Sequence, residues 1–145
     1  MLHSIKQLFH IDAKRNDVFK SISTIEGLMK WWTTETSGRS SPGEIIHFRF
    51  GKADGPDMKV IDFKPGESIE WKFVANPHGW TGHTFTFELD NNDGKTRVRF
   101  THDGWAENDD FYAICTFSWA PYMESLRQLY QTGKGEAFGS EGYKQ

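Results

Sequence analysis

Two histidines are the side chains best suited to chemistry near neutral pH. His83 and His102 fall on the apolar faces of two segments in which apolar and polar residues alternate. An imidazole changes charge within the physiological pH range, so His102 could orient a ligand's polar end or act as an acid or base. The alternative, which we favour, is a structural histidine hydrogen-bonded to a loop carbonyl. His83 has the same two interpretations.

No known catalytic motif accompanies these histidines. The sequence contains no P-loop and no GxGxxG, GxSxG or HExxH pattern, and nothing in its spacing selects a Ser/His/Asp triad. His78 lies in the loop before His83, and with His102 these residues could supply three nitrogen ligands, but the spacing matches no zinc pattern. We therefore expect no metal and no cofactor. The catalytic residues stay unknown, and an enzyme is the less favoured interpretation.

The single cysteine, Cys115, limits redox chemistry. One thiol forms neither an intrachain disulfide nor a thiolate metal cage, which suits a reducing cytosol. Cys115 falls on the apolar stripe of a predicted helix, which favours an inert core thiol over a nucleophile. The N-terminus lacks the apolar core of a signal peptide. No stretch approaches the roughly 18 apolar residues of a membrane helix, so we expect a cytoplasmic protein without membrane insertion.

The composition indicates one folded domain with an unusual core. Of the 145 residues, 22 are aromatic, whereas leucine, isoleucine and valine together number 19. Cores are usually filled mainly by aliphatic side chains, so aromatic rings must fill much of this interior. The net charge is −3. It argues against a nucleic-acid partner, because proteins that bind nucleic acids usually carry a basic excess.

The spacing of apolar residues predicts a strand, two short helices, five further strands and one long helix. Asp12 and Thr24 are the predicted N-caps of the two short helices, the second of which ends near Trp31. The five later segments alternate apolar and polar residues, as expected of an antiparallel sheet with one solvated face. Pro65 and Gly66 fit the centre of a type II turn between two of them.

A helical period returns after Gly104. Apolar residues between Phe111 and Tyr130 form one broad stripe. Pro121 lies opposite this stripe, so we expect one bent helix rather than two pieces. Four glycines beyond the helix predict a loose tail. The expected organisation is thus one domain over residues 1–135 and a flexible tail over residues 136–145.

These elements predict an α+β fold in which the apolar face of the sheet meets the long helix. Both surfaces are aromatic, and rigid rings leave space between them, so we expect an aromatic-walled cavity. The predicted ligand-binding residues are Trp31, Trp32, Phe48, Phe50, Met58, Trp71, Phe73, Phe85, Phe87, His102, Trp105, Trp119 and Met123. Most of them belong to the core, and only a subset can touch a ligand.

Several motifs, in this order, resemble the START-like superfamily (SRPBCC), which has the helix-grip fold. Within it the chain is similar to the family of Hsp90 ATPase activator homologues, and the similarity covers nearly the whole chain. The motifs that carry it are Asp12-Ala13, Ile25-Glu26-Gly27-Leu28, Lys30-Trp31-Trp32-Thr33, Trp71, Thr84-Phe85-Thr86-Phe87-Glu88-Leu89, Thr96 to Trp105, Ser118-Trp119, Tyr122 to Arg127 and Thr132-Gly133-Lys134-Gly135.

The resemblance implies a curved antiparallel sheet around the C-terminal helix, with a deep apolar cavity between them. Relatives bind lipids and hormones, cyclise polyketides or act as co-chaperones, and a fold alone does not choose among these. We expect a monomer or homodimer that binds a small hydrophobic, aromatic or lipid-like molecule. The alternatives are a polyketide cyclase-like cavity enzyme and a stress-related co-chaperone. Eukaryotic activators carry a separate N-terminal Hsp90-binding domain without a counterpart in these residues, so Hsp90 is not the expected partner.

Overall fold

The computed structural model describes residues 2–75 and 79–145. In this part of the chain, seven strands and three helices form one antiparallel sheet, in the order β1-β7-β6-β5-β4-β3-β2, and its helical cover. The predicted α+β helix-grip arrangement is confirmed. The elements are β1 (His3–Ile11), α1 (Arg15–Ser23), α2 (Ile25–Trp31), β2 (Glu35–Gly38), β3 (Ile45–Arg49), β4 (Asp57–Lys64), β5 (Ser68–Ala75), β6 (Thr84–Asn92), β7 (Lys95–Trp105) and α3 (Asp110–Gln131).

Alternating residues give the central strands one buried aromatic face. In β5, Ile69, Trp71 and Phe73 are buried, whereas the residues between them are partly or fully exposed. Trp71 lies directly opposite Phe85 of β6, and Phe87 lies opposite Phe100 of β7. Such cross-strand aromatic neighbours stabilise a sheet through direct side-chain contact. The inner face is therefore a continuous aromatic surface.

The two short helices begin differently from each other. The Thr24 hydroxyl accepts a hydrogen bond from the Gly27 N–H at 3.0 Å, which confirms Thr24 as the N-cap of α2. The prediction for Asp12 is wrong, because the N-cap of α1 is Lys14, which makes no side-chain capping bond. Asp12 lies within a turn closed by the Ala13 N–H and the Ile11 carbonyl at 2.9 Å. The chain therefore starts its helix two residues later than the capping pattern predicts.

Strand β2 is an element that the sequence does not predict. Its four residues are mostly exposed, and only Thr36 is buried. Thr36 pairs with Phe48 of β3, and the Thr36 hydroxyl donates to the Thr33 carbonyl at 2.7 Å. An edge strand of polar residues carries no apolar alternation to recognise. Its pairing with β3, rather than its own sequence pattern, makes it a strand.

The predicted turn between β4 and β5 is confirmed. Gly66 has φ of 76°, and the Glu67 N–H donates to the Lys64 carbonyl at 2.9 Å. A positive φ at the third position is what a type II turn requires, and glycine adopts it without a steric penalty. The turn sets the register in which Trp71 faces the core.

Helix α3 is continuous through Pro121, as predicted. The Asp109 side chain caps it by accepting from the Tyr112 N–H at 3.1 Å. Trp119, Met123 and Leu126 are buried along its inner face. None of the helices in the described part of the chain has both the length and the apolar content that a membrane crossing requires.

Residues 136–145, here called the C-terminal strap, lie against the domain. The sequence predicts a loose tail, whereas Ala137 is fully buried and Phe138 forms an isolated bridge with Thr33. The Phe138 N–H donates to the Trp32 carbonyl, and the Phe138 carbonyl accepts from the Thr34 N–H, both at 2.9 Å. A Cβ on Gly135 would lie 2.1 Å from the Lys30 carbonyl oxygen, so glycine permits this close approach.

Candidate ligand-binding groove

The centre of the predicted cavity is filled with side chains. Trp32 stacks on Trp71 with ring centroids 6.1 Å apart and planes 7° apart, and Trp71 meets Phe87 edge-on at 5.3 Å. The Trp31 indole N–H donates to the Ser21 carbonyl at 2.8 Å and is sealed inside. Ten predicted binding residues belong to this packed interior and do not line the groove described below: Trp31, Phe48, Met58, Trp71, Phe73, Phe85, Phe87, His102, Trp105 and Met123.

A groove of about 400 Å³ lies between the N-terminal half of α3, the loop joining β3 to β4, and the C-terminal strap. Trp32, Phe50 and Trp119 are the predicted binding residues that it brings together. The other described residues that line it are Ala53, Asp54, Trp80, Phe111, Ile114, Cys115, Ser118, Tyr122, Phe138, Tyr143 and Gln145. Eight of the fourteen lining residues are therefore aromatic.

Tryptophan rings form the floor of the groove. Trp32 and Trp119 are buried, and their ring centroids are 5.0 Å apart. Trp80 stacks on Trp119 at 6.1 Å with planes 18° apart. Broad indole faces bury much apolar area on contact with a flat ligand. The floor is thus both rigid and apolar.

The strap supplies the outer wall of the groove, which the sequence pattern does not predict. Phe138 contacts Phe50 with ring centroids 5.5 Å apart, and Tyr143 contacts Phe138 at 5.2 Å. Phe50 also lies 6.3 Å from Tyr122 of α3. A run of glycines predicts a flexible segment. The residues that hold the strap in place are distant from it in the sequence. Nothing in the local sequence around Ala53 and Asp54 marks that loop as part of a site.

Two titratable groups in the groove are held neutral. Burial raises the pKa of Tyr122 well above its ordinary value, and the nearby Tyr143 hydroxyl adds to the shift. Burial likewise raises the pKa of the Cys115 thiol, although a hydrogen bond with Trp80 opposes this. A thiol that resists ionisation is a poor nucleophile, which supports the inert interpretation of Cys115.

A buried histidine pair lies behind the floor. The Trp119 indole N–H donates to His102 Nδ1 at 3.0 Å, and His102 Nε2 lies 2.9 Å from His83 Nδ1. Because indole can only donate, His102 Nδ1 carries no proton, and its Nε2–H donates to His83. Burial lowers the pKa of His83. His102 is fully buried and hydrogen-bonds to the side chains of His83 and Trp119, so this geometry favours the structural role.

No cluster of three or more metal-ligating side chains occurs among the described residues. His78, the third histidine considered for a zinc site, lies outside the described residues. His83 and His102 are hydrogen-bonded to each other through their ring nitrogens, and the other ring nitrogen of His102 accepts from Trp119.

A helix-grip sheet with an aromatic groove beside its long helix defines a START-like protein. The family model for the Activator of Hsp90 ATPase homolog 1-like protein matches residues 12–131, and the chain belongs to this family. A comparison with curated proteins finds no match.

Solved structures share this fold. The chain is 36% identical to the protein in the solution structure of the Aha1 dimer from Colwellia psychrerythraea, with a TM-score of 0.84 over 92% of this chain and 99% of that one. A Staphylococcus saprophyticus protein is 18% identical, with a TM-score of 0.76 over 93% and 97% of the two chains. CalU16 from Micromonospora echinospora is 15% identical, with a TM-score of 0.70 over 88% and 73%. The last two show the fold alone.

Proposed function

We propose that the groove binds a small hydrophobic molecule with aromatic character. The observation that supports this proposal most is the aromatic wall: eight of the fourteen described lining residues are aromatic, and the groove encloses about 400 Å³. Pockets that bind small molecules commonly enclose roughly 300–1,000 Å³ and have mostly apolar walls. Buried apolar area contributes about 25 cal/mol per Å², so contact with the tryptophan floor would supply most of the affinity.

Binding fits this geometry better than catalysis does. His102, the strongest acid–base candidate, is sealed behind Trp80 and Trp119, and its nitrogens bond to other side chains. Tyr122 and Cys115 face the groove, but burial raises the pKa of both, so neither is ionised near neutral pH. A bound molecule would meet ring faces and neutral polar groups.

Tryptophan fluorescence tests the proposal with a matched pair of variants. Native mass spectrometry of freshly purified protein first identifies any molecule that co-purifies, and titration with 2-naphthylethanol then follows quenching of the tryptophans. Ile114 lies on the groove rim and is 62% exposed, so Ile114→Gln should weaken binding about three- to ten-fold by removing apolar contact. Ile61→Gln, an equivalent change at an exposed position of β4 away from the groove, should leave the affinity unchanged.

Two results would contradict the proposal. One is unsaturable quenching with no co-purifying molecule. The other is saturable binding that Ile61→Gln weakens as much as Ile114→Gln does, since the ligand would then contact a different surface.

We propose a second function, self-association, on the basis of an exposed ridge on α3. Phe111, Ile114 and Phe117 follow one another at helical spacing, and Phe117 is 81% exposed. A cluster of large exposed apolar side chains marks an interaction surface. The relative from Colwellia psychrerythraea forms a dimer, so a second copy is the expected partner.

Analytical ultracentrifugation tests this second proposal. Wild-type protein should sediment as a dimer, and Phe117→Ser, a change outside the groove lining, should shift the equilibrium to monomer. Leu8→Ser, at another exposed apolar position on edge strand β1, should leave the dimer intact. Dissociation by Leu8→Ser but not by Phe117→Ser would place the interface at the sheet edge and overturn the proposal.

A further inference from the structure

We infer that the groove selects aromatic cations over aromatic anions, with the Asp54 carboxylate and neighbouring ring faces as the selecting groups. This inference rests on the proposed ligand-binding function and adds a ligand class to it. Three observations support it: the charge of the lining, the contacts that hold Asp54, and the aromatic rings of the groove wall.

Asp54 has the one charged side chain among the described residues that line the groove. None of the described lining residues has a lysine, arginine or histidine side chain. Tyr122 and Cys115 stay neutral because burial raises the pKa of each. A ligand carboxylate would lose solvation here and find no cation among the described lining residues, whereas an ammonium group would meet a carboxylate.

Asp54 is held at the groove by a backbone contact and a side-chain contact. Its Oδ1 accepts a hydrogen bond from the Gly55 N–H at 2.9 Å, and half of its side chain is exposed. Arg49 Nε lies 3.5 Å from the same carboxylate. The Arg49 Nη1 is directed elsewhere, to Asp57 at 2.9 Å and to the Phe48 carbonyl at 2.9 Å. Arg49 is thus shared between Asp54 and Asp57, and its contact with Asp57 is the shorter of the two.

Three lining rings lie close to one another, and Phe50 among them pairs with Ala53, the residue before Asp54. Ring centroids are separated by 5.9 Å for Trp32 and Phe50, 6.3 Å for Trp32 and Tyr122, and 6.3 Å for Phe50 and Tyr122, with planes inclined by 55–67°. The faces of aromatic rings are electron-rich and attract a cation that approaches within about 6 Å. The groove wall therefore offers ring faces and a carboxylate to a positive group.

Two lysines lie near the groove without lining it. The Lys144 Nζ is bonded to Glu136 Oε2 at 2.7 Å, and Lys52 is exposed in the β3–β4 loop. Neither side chain belongs to the groove wall. They would have to bend into the groove to bind an anion there.

Calorimetric titration at pH 8 with three naphthalene derivatives of similar size tests the inference. The compounds are 2-naphthylethylamine, 2-naphthylethanol and 2-naphthylacetate, which are cationic, neutral and anionic. We expect the amine to bind about five-fold tighter than the alcohol, and the acetate to bind more weakly than both. Asp54→Asn should reduce the amine's advantage to less than about two-fold and leave the alcohol unchanged. The asparagine oxygen can still accept from the Gly55 N–H, so the loop is kept.

Asp62→Asn is the matched control, because Asp62 is a similarly exposed aspartate on β4 outside the groove wall. It should change none of the three affinities. Equal affinities, tighter binding of the acetate, or an amine preference that survives Asp54→Asn would overturn the inference, while saturable binding of the alcohol would still support a ligand groove. If none of the three compounds binds, the proposed function and this inference both fail.

Discussion

His83 is 5% exposed, and its Nδ1 accepts the hydrogen bond from His102. Protonation of His83 would place a charge beside Trp105, whose ring lies 4.6 Å away, and would remove the acceptor that His102 needs. Burial accordingly lowers the pKa of His83. The neutral form of this side chain is therefore part of the folded state.

The pH dependence of stability follows from that shift. His83 binds its proton more weakly in the folded state than in the unfolded state, whose imidazole titrates near pH 6.5. The contribution of neutral His83 to the free energy of unfolding is constant above the pKa of the unfolded state. It is lost as the pH falls towards the lower pKa of the folded state. The free energy of unfolding should decline by up to about 1.4 kcal/mol per pH unit for this proton. Urea denaturation at pH 7.5, 6.5 and 5.5 measures the decline.

Two variants assign the effect to this residue. His83→Gln keeps an acceptor for His102 but cannot take up a proton, so its stability should fall less steeply with acid. His10→Gln changes an exposed histidine on β1 and should keep the wild-type slope. An unchanged slope in His83→Gln would mean that other groups set the acid sensitivity.

Elements whose contacts are close in sequence can be predicted from local patterns. The alternation of Phe85 and Phe87 predicts β6, and the turn at Gly66 joins two strands that are neighbours in the chain. Helix α2 starts at a threonine that caps it, as its sequence indicates. Strand β2 and the strap escape this reasoning, because their positions depend on distant partners: Thr36 pairs with Phe48, and Phe138 with Thr33.

The candidate site is predicted only in part, for the same reason. Trp32, Phe50 and Trp119 are recognisable as large rings on apolar faces, and they line the groove. Asp54 lies in the β3–β4 loop, and Tyr143 lies in the strap. No local sequence pattern predicts where either segment is placed. Apolar periodicity also does not distinguish a cavity wall from a close-packed core, since both need the same residues. Trp71 illustrates this, because it lies in the packed interior.

Across the whole molecule, one cluster of buried residues connects every helix and every strand except β2. The strap joins the rest through Ser125, whose hydroxyl donates to the Trp31 carbonyl at 2.7 Å and accepts from the Glu136 N–H at 2.6 Å. The elements that share this core are therefore expected to lose their contacts together. Domains of this size usually unfold in one step.

We therefore expect the chain, strap included, to unfold as one cooperative unit rather than as a domain ending at residue 135. Tryptophan fluorescence and far-ultraviolet circular dichroism should give coincident urea transitions, because the tryptophans and the sheet share one core. Hydrogen exchange should show the Phe138 amide, bonded to the Trp32 carbonyl, protected at a level similar to amides of β6. Two results would contradict this expectation: separate transitions, or a Phe138 amide that exchanges as fast as one in an unfolded peptide. The domain would then end at residue 135, and the strap would form the groove wall only transiently.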